Sequence, residues 1–469
     1  MPSMVVTRAG FTQVIANAFA GLGFSAEGPS IYEYPLGMFE EGGDLTALTE
    51  NIDKVVYGLT KWEPQVKEVG LTPAAKLTVA GKDYQEAFDK MNIEFLKDLS
   101  GDGLPIVPVT EERISWILMG TDLPRDRQVG RILPRGGIAT VETVAAALGM
   151  AGGRPEYLPV LMAAIDAMLQ EDFQHQSMNA TMNSVHPVAI VNGPIAKQIR
   201  LNAGFGCLSP DPQRSAGASI GRAIRLLLMS AGGAVPGLGT MSGFGGPGRY
   251  TGLVFAEDEE GLPEGWEPLS VERGFARGSN TVTLHAVNGT MNCSSGTLCP
   301  VPGAPEVREP LLDGYAAFMQ TTKQMYFGTY TGAIWYNGSP GVLLINRGRA
   351  AKLADAGWTK EAVKEYLWQV SKIPDSPNLR QQIESAVTNG MLDEKDVEYP
   401  FPITRTPEQI MIVMAGAWTT GNGYWMPAGI APNDLTDAEI EVPAKWDALI
   451  DQALEELGAI PAVMEGVLL

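Results

Sequence analysis

The side chains in this sequence best suited to chemistry are three cysteines, three histidines and one dense run of carboxylates. Cys207 stands in Asn202-Ala-Gly-Phe-Gly-Cys207-Leu-Ser-Pro, beside Arg214 and a few residues before a helix expected from about Ser215 to Met229. A helix N-terminus and a guanidinium both favour the thiolate, so a nucleophile is one reading. A small buried residue in a tight loop is the other. Cys293 follows a strand carrying His285, in Asn288-Gly-Thr-Met-Asn-Cys293-Ser-Ser-Gly-Thr-Leu-Cys299. This spacing fits neither a redox C-x-x-C pair nor a zinc knuckle. Cys293, at a strand end, is a candidate reactive thiol, and Cys299, before Pro300, reads as inert.

His186 lies directly before Pro187 and a strand leading to Asn192, which places it at a strand mouth. The run Glu257-Asp258-Glu259-Glu260 comes straight off another apolar strand. Loops at strand ends gather into sites in α/β folds, so one of these carboxylates is a candidate general base or an anchor for an arginine. His186 and Glu257 form one candidate acid–base pair. Asn192, Arg222, Arg249, Tyr250, Trp266 and Arg273 form a candidate substrate-binding set, and arginines held in an acidic protein suit a carboxylate-bearing substrate. The histidines, His175 included, show no H-x-H or H-x-x-x-H spacing, so a metal is possible but not indicated and the cofactor is unknown. Gly243-Phe-Gly245-Gly246-Pro247-Gly248 matches the letters of a dinucleotide fingerprint. A strand from Thr251, rather than a helix, is expected after it, which favours a structural or substrate-approach loop.

The elements that must hold these groups alternate in period. Val14, Ile15, Ala18, Phe19 and Leu22 make a helical face, Ile31 to Tyr34 a short strand, and Ile52, Val55, Val56 and Leu59 a second helical face. Leu104 to Thr110 reads as an edge strand restricted by its prolines. Val188–Val191, Thr251–Glu257, Thr281–Val287, Gly341–Asn346 and Gln409–Ala415 read as buried strands, several of parallel type. No internal repeat stands out. The expected fold is multi-domain α/β, with mixed or parallel sheets flanked by helices and a truncated N-terminal α/β segment. Its expected divisions are 1–65, a connector over 66–103, a central α/β domain over 104–310 and a C-terminal one over 311–469.

Composition narrows the function classes. With 34 basic and 54 acidic residues the net charge is −20, which repels nucleic-acid backbones and anionic membranes. Three cysteines form no disulfide framework, the start lacks a signal-peptide pattern, and no apolar run reaches the roughly 18 to 20 residues of a membrane span. A cytoplasmic protein is expected.

A set of motifs resembles the large UGSC-type (seleno)protein family. It comprises Leu104-Pro-Ile-Val-Pro-Val-Thr110, Pro134-Arg-Gly-Gly137, Arg154-Pro-Glu-Tyr-Leu-Pro159, Val191-Asn-Gly-Pro194, Ile220-Gly-Arg-Ala-Ile-Arg-Leu226, Gly246-Pro-Gly-Arg-Tyr250, Ala256-Glu-Asp-Glu-Glu260 and Trp266-Glu-Pro-Leu-Ser-Val-Glu-Arg-Gly-Phe275. The segment Thr7–Trp62 is similar to the second half of that family's small domain, in which a Sec/Cys-Gly-Ser-Cys motif comes first. No such motif stands before Thr7. The resemblance implies thiol-linked or redox catalysis and a small partner subunit that brings the missing strand and thiols, making a hetero-oligomer. The leading expectation is thus a catalytic subunit acting on a small carboxylated molecule through Cys293, Cys207 or a partner's thiol. A non-redox lyase or hydratase and a non-catalytic scaffold subunit are the alternatives.

Overall fold

The computed structural model describes residues 2–24, 30–34, 43–63, 76–294, 309–326, 340–388, 390, 392–417, 422–429 and 434–460. In chain order the strands are β1 (Val5–Arg8), β2 (Ile31–Tyr34), β3 (Gln128–Ile132), β4 (Gly137–Thr140), β5 (His186–Asn192), β6 (Leu253–Ala256), β7 (Thr281–Val287), β8 (Met291–Ser294), β9 (Gly341–Ile345), β10 (Ile410–Met414), β11 (Asn422–Pro427) and β12 (Thr436–Glu439). Strands β5, β7 and β9 are buried at every residue, as strands covered on both faces must be.

Two four-stranded sheets form the centre, in the orders β12-β7-β5-β6 and β10-β9-β11-β8. Both are mixed: β5 runs parallel to β6 and β9 to β10, and the other pairings are antiparallel. Strand alternation sends Val188, Ile190, Phe255 and Val287 inward against Val342, Leu344, Val413 and Met426, so the sheets share one apolar seam. The outer face of the first sheet, with Ala189, Val191, Val254 and Leu284, packs under the helices Val141–Met150, Leu158–Met168 and Ala216–Ser230. The outer face of the second, with Leu343, Ile345, Ile412 and Trp425, packs under Pro310–Tyr326, Lys360–Val370 and Pro377–Thr388. The layers run helix, sheet, sheet, helix, a multi-domain α/β fold.

The two sheets follow one plan. Strand register matches β5, β6 and β7 with β9, β10 and β11: Val188 with Val342, Leu253 with Met411, His285 with Met426. Under that match two hydrogen bonds joining the sheets are equivalent, Asn288 N–H to Pro427 O at 3.2 Å and Gly429 N–H to Ala286 O at 2.8 Å. The fourth strand of each sheet is exchanged. β8 follows β7 in the chain but pairs with β11, and β12 follows β11 but pairs with β7. The C-terminal helix Trp446–Leu457 also crosses over, adding Trp446, Leu449 and Ile450 to the first core. An approximate internal two-fold therefore exists where no repeat was legible, and sheet membership crosses the expected division near residue 310.

Two expectations need correction. The strand thought to be missing at the N-terminus is present: β1 pairs in parallel with β2 across the Thr12–Gly21 helix, a complete but two-stranded βαβ unit. Leu104–Thr110 is not a strand, because Ile106 N–H donates to Asn92 Oδ1 (2.7 Å) and Val107 N–H to Met150 O (3.2 Å). A side chain and a helix end take the bonds that a neighbouring strand would have offered.

Candidate functional site

The C-terminal ends of the parallel strands meet between the sheets, and Glu257 is the residue that joins them. Its carboxylate is wholly enclosed and accepts from Asn192 Nδ2 and from Leu269 N–H, each at 2.7 Å, with Met414 N–H at 3.4 Å. It thereby ties the end of β5, the Leu269–Glu272 turn and β10 of the other sheet. One step on, Asp258 N–H donates to Met414 O at 2.8 Å. The enclosed ammonium of Lys360 stands 4.0 Å from Glu257, donates to Glu267 O at 2.7 Å and pairs with Glu272 at 2.9 Å. Burial pushes the Glu257 carboxyl up; Lys360 and the Asn192 and Leu269 donors oppose this.

A cavity of about 960 Å³ opens beside this junction. The four carboxylates of the acidic run play four parts around it. Glu257 is the internal clamp, its carboxylate shut off from the cavity. Asp258 holds Arg347 in a two-bond fork at 2.8 and 3.0 Å. Glu260 pairs at the surface with Lys197 at 2.9 Å. Glu259 is half-buried at the cavity, and its Oε1 accepts from Gly193 N–H (2.7 Å) and Asn192 Nδ2 (2.8 Å). Its Oε2 takes part in no bond among the described residues. The turn that aims Gly193 N–H has φ +89°, and a side chain there would strike Ser279 O, so only glycine fits.

Of the five basic side chains lining the cavity, four face a carboxylate: Lys197 and Arg347 as above, Arg214 with Asp211, and Arg277 with Glu267. Arg200 has no carboxylate partner among the described residues; it donates to Gly458 O. Its backbone sits in the left-handed region at φ 56°, a conformation that costs a non-glycine residue about 1 kcal/mol or more. Phe205, Ile450 and Leu454 add apolar surface to the lining.

The other expected site residues are scattered. His186 starts β5 and Glu257 follows the end of β6, so six strand steps of about 3.3 Å, roughly 20 Å, separate them, and the pair cannot share a proton. Arg249 and Tyr250 lie at the His186 end; Gly248 packs so close to the His186 ring that a Cβ there would meet Nε2 at 2.1 Å. Gly248–Thr251 is a single helical turn, so the strand expected from Thr251 starts at Leu253 instead, and close packing rather than phosphate accounts for the glycine at 248. Arg222 is spent on Asp102 (2.8 and 3.0 Å), Arg273 on Asp437 (2.8 Å), and Trp266 is buried with its indole N–H on Trp358 O. Cys207 belongs to the seam between the sheets and Cys293 to the second core, and burial pushes both thiols up to about 12. Neither lines the cavity. Cys299 lies outside the described residues.

Sequence reasoning passed over Arg200 and Lys360. Only Lys360 carries a local signal: a lysine at the first position of a helix opposes the helix dipole, so another partner must hold it there. Among the described residues no three His, Cys, Asp or Glu side chains converge as metal ligands, and no helix is long and apolar enough to cross a membrane. No protein-family model, curated protein or solved structure matches the chain.

Proposed function

We propose that the chain is an enzyme that moves a proton on a small, carboxylate-bearing molecule held at the ends of β5 and β6, in the manner of a lyase or hydratase. The observation that carries this reading is Glu259, a cavity carboxylate fixed through one oxygen by Gly193 N–H and Asn192 while its other oxygen stays outside those bonds. Arg200 supports it as the cavity cation without a carboxylate of its own, suited to the substrate's carboxylate. Glu259 takes the proton from the carbon beside that carboxylate, and the C–H electron pair moves into an enediolate held by Arg200. The pair then expels a group, such as hydroxide, from the next carbon. Asn192 and Glu257 are positioning residues, and Phe205 and Leu454 receive the apolar part of the substrate.

The test is proton exchange. The protein is incubated in heavy water with a panel of small hydroxy and unsaturated carboxylic acids, and loss of C–H signal is followed by NMR. Exchange catalysed by the wild type should fall about 100-fold or more in Glu259→Gln. In Arg200→Gln the larger change should be in KM. Exchange that survives Glu259→Gln, or none with any acid, sinks the reading.

A second reading, that a partner subunit supplies thiol chemistry as the UGSC-type resemblance implies, is favoured by the two-stranded N-terminal unit. It leaves Val6 at 40 % exposure and Ile52, Val56 and Leu59 of the following helix near half exposed. Cys207 and Cys293, enclosed and held as thiols, do not take that role themselves.

A further inference from the structure

At the opposite end of β5 a second group of charges has no carboxylate hydrogen-bonded to it among the described residues; the nearest acid to act on it is Asp102, which is forked to Arg222. A small cavity of about 10 Å³ is lined by Met178, Asn179, His186, Arg225 and Arg249, with no carboxylate among its lining residues. Arg249 donates to Thr240 Oγ1 (2.7 Å), Met178 O (2.9 Å) and Asn183 O (3.3 Å), and Arg225 donates to Ala234 O (3.1 Å). Every one of those acceptors is neutral. Arg249 Nε and His186 Nε2 are buried with no hydrogen-bond partner among the described residues. Buried Arg225 has only the more distant Asp102 to oppose its charge and half-buried Arg249 has no carboxylate beside it, a costly arrangement, and burial lowers both to about 10.

We propose that this cavity is a binding site for one small monatomic anion, a halide, taken up together with a proton on His186. The volume is about that of one water-sized body, which shuts out phosphate and organic carboxylates and takes a halide only in close contact with its lining. A water molecule would satisfy the orphan N–H of Arg249 but leave its charge uncompensated. His186 donates Nδ1–H to Ser184 O at 3.1 Å, so its neutral ring turns a lone pair, Nε2, into the same space. An anion there requires Nε2 to carry a proton. The charged groups facing His186 are Arg249 and Arg225; His175, on the adjoining helix, instead accepts from Leu133 N–H at 3.1 Å. Halide affinity therefore rises as pH falls. The bound ion would hold Arg249, and through it Thr240 and the Met178–Asn183 stretch, in place.

The experiment is thermal unfolding of the whole chain in chloride or bromide against gluconate at equal ionic strength, near about pH 6 and about pH 8. Halide should raise Tm by about 2–5 °C at saturation, more at the lower pH. Arg249→Gln should abolish the halide response, and His186→Gln should abolish its pH dependence. Should Arg249→Gln fail to fold, anomalous scattering from bromide-soaked wild-type crystals locates the ion directly. A Tm indifferent to halide, an equal response to gluconate and chloride, or bromide absent from the cavity overturns the proposal.

Discussion

Lys360 is the residue on which the junction's electrostatics turn. Its enclosed ammonium serves Glu257, Glu272 and Glu267 O together, so removing it leaves buried carboxylate charge without compensation. Lys360→Met should destabilise the protein by about 3–5 kcal/mol, whereas adding Glu257→Gln to it should recover part of that loss. Denaturant unfolding of the four members of this cycle measures the coupling, and additive losses would show that the two residues act independently. The acidic run and Asn192 could be read as candidates because they stand at strand ends. Which carboxylate faces the cavity was not, since that follows from the register Val191 to Ala256 across the sheet. Arg200 was hidden for a related reason: its proposed role rests on a left-handed turn and on Glu259 arriving from a distant loop.

Among the elements, short apolar runs announced β5, β9 and β10 well, because burial on both faces leaves little polar alternation to misread, while β7 was legible from its alternation of Thr281, Thr283 and His285 with apolar residues. The proline-bearing segment Leu104–Thr110 was misread, since a side chain and a helix end, not a neighbouring strand, take its N–H groups. The N-terminal βαβ unit poses a separate problem. Parallel strands are normally covered on both faces, and two strands alone are marginal, yet Ile52 and Val56 remain 49 % exposed. If a small subunit bearing Cys-Gly-Ser-Cys covers this unit, co-expression should yield a stable complex. Ile52→Asp with Val56→Asp should then abolish the complex and leave Tm of the main body unchanged. Failure of the unmodified pair to co-purify removes the partner from the account.

At the scale of the molecule, the exchange of β8 and β12 decides how the halves depend on each other. Neither sheet is complete within one half: β7 needs β12 along its outer side, and β11 needs β8. Without its exchanged strand each sheet presents an open, buried-type edge, and the first core also loses Trp446, Leu449 and Ile450. No periodicity in the sequence reveals this, because the exchange is a property of pairing between distant strands. It leads to a whole-chain prediction. Two fragments divided between β8 and the Pro310–Tyr326 helix should each be insoluble or unfolded when made alone, and should assemble into a stable complex when co-expressed. Circular dichroism and size-exclusion chromatography read the outcome. A separately folded, monomeric N-terminal fragment would mean that β12 and the C-terminal helix are dispensable ornaments of the first sheet. Assembly only on co-expression would mean that the candidate site, built where Glu257 meets Met414 across the sheets, exists only in the joined molecule.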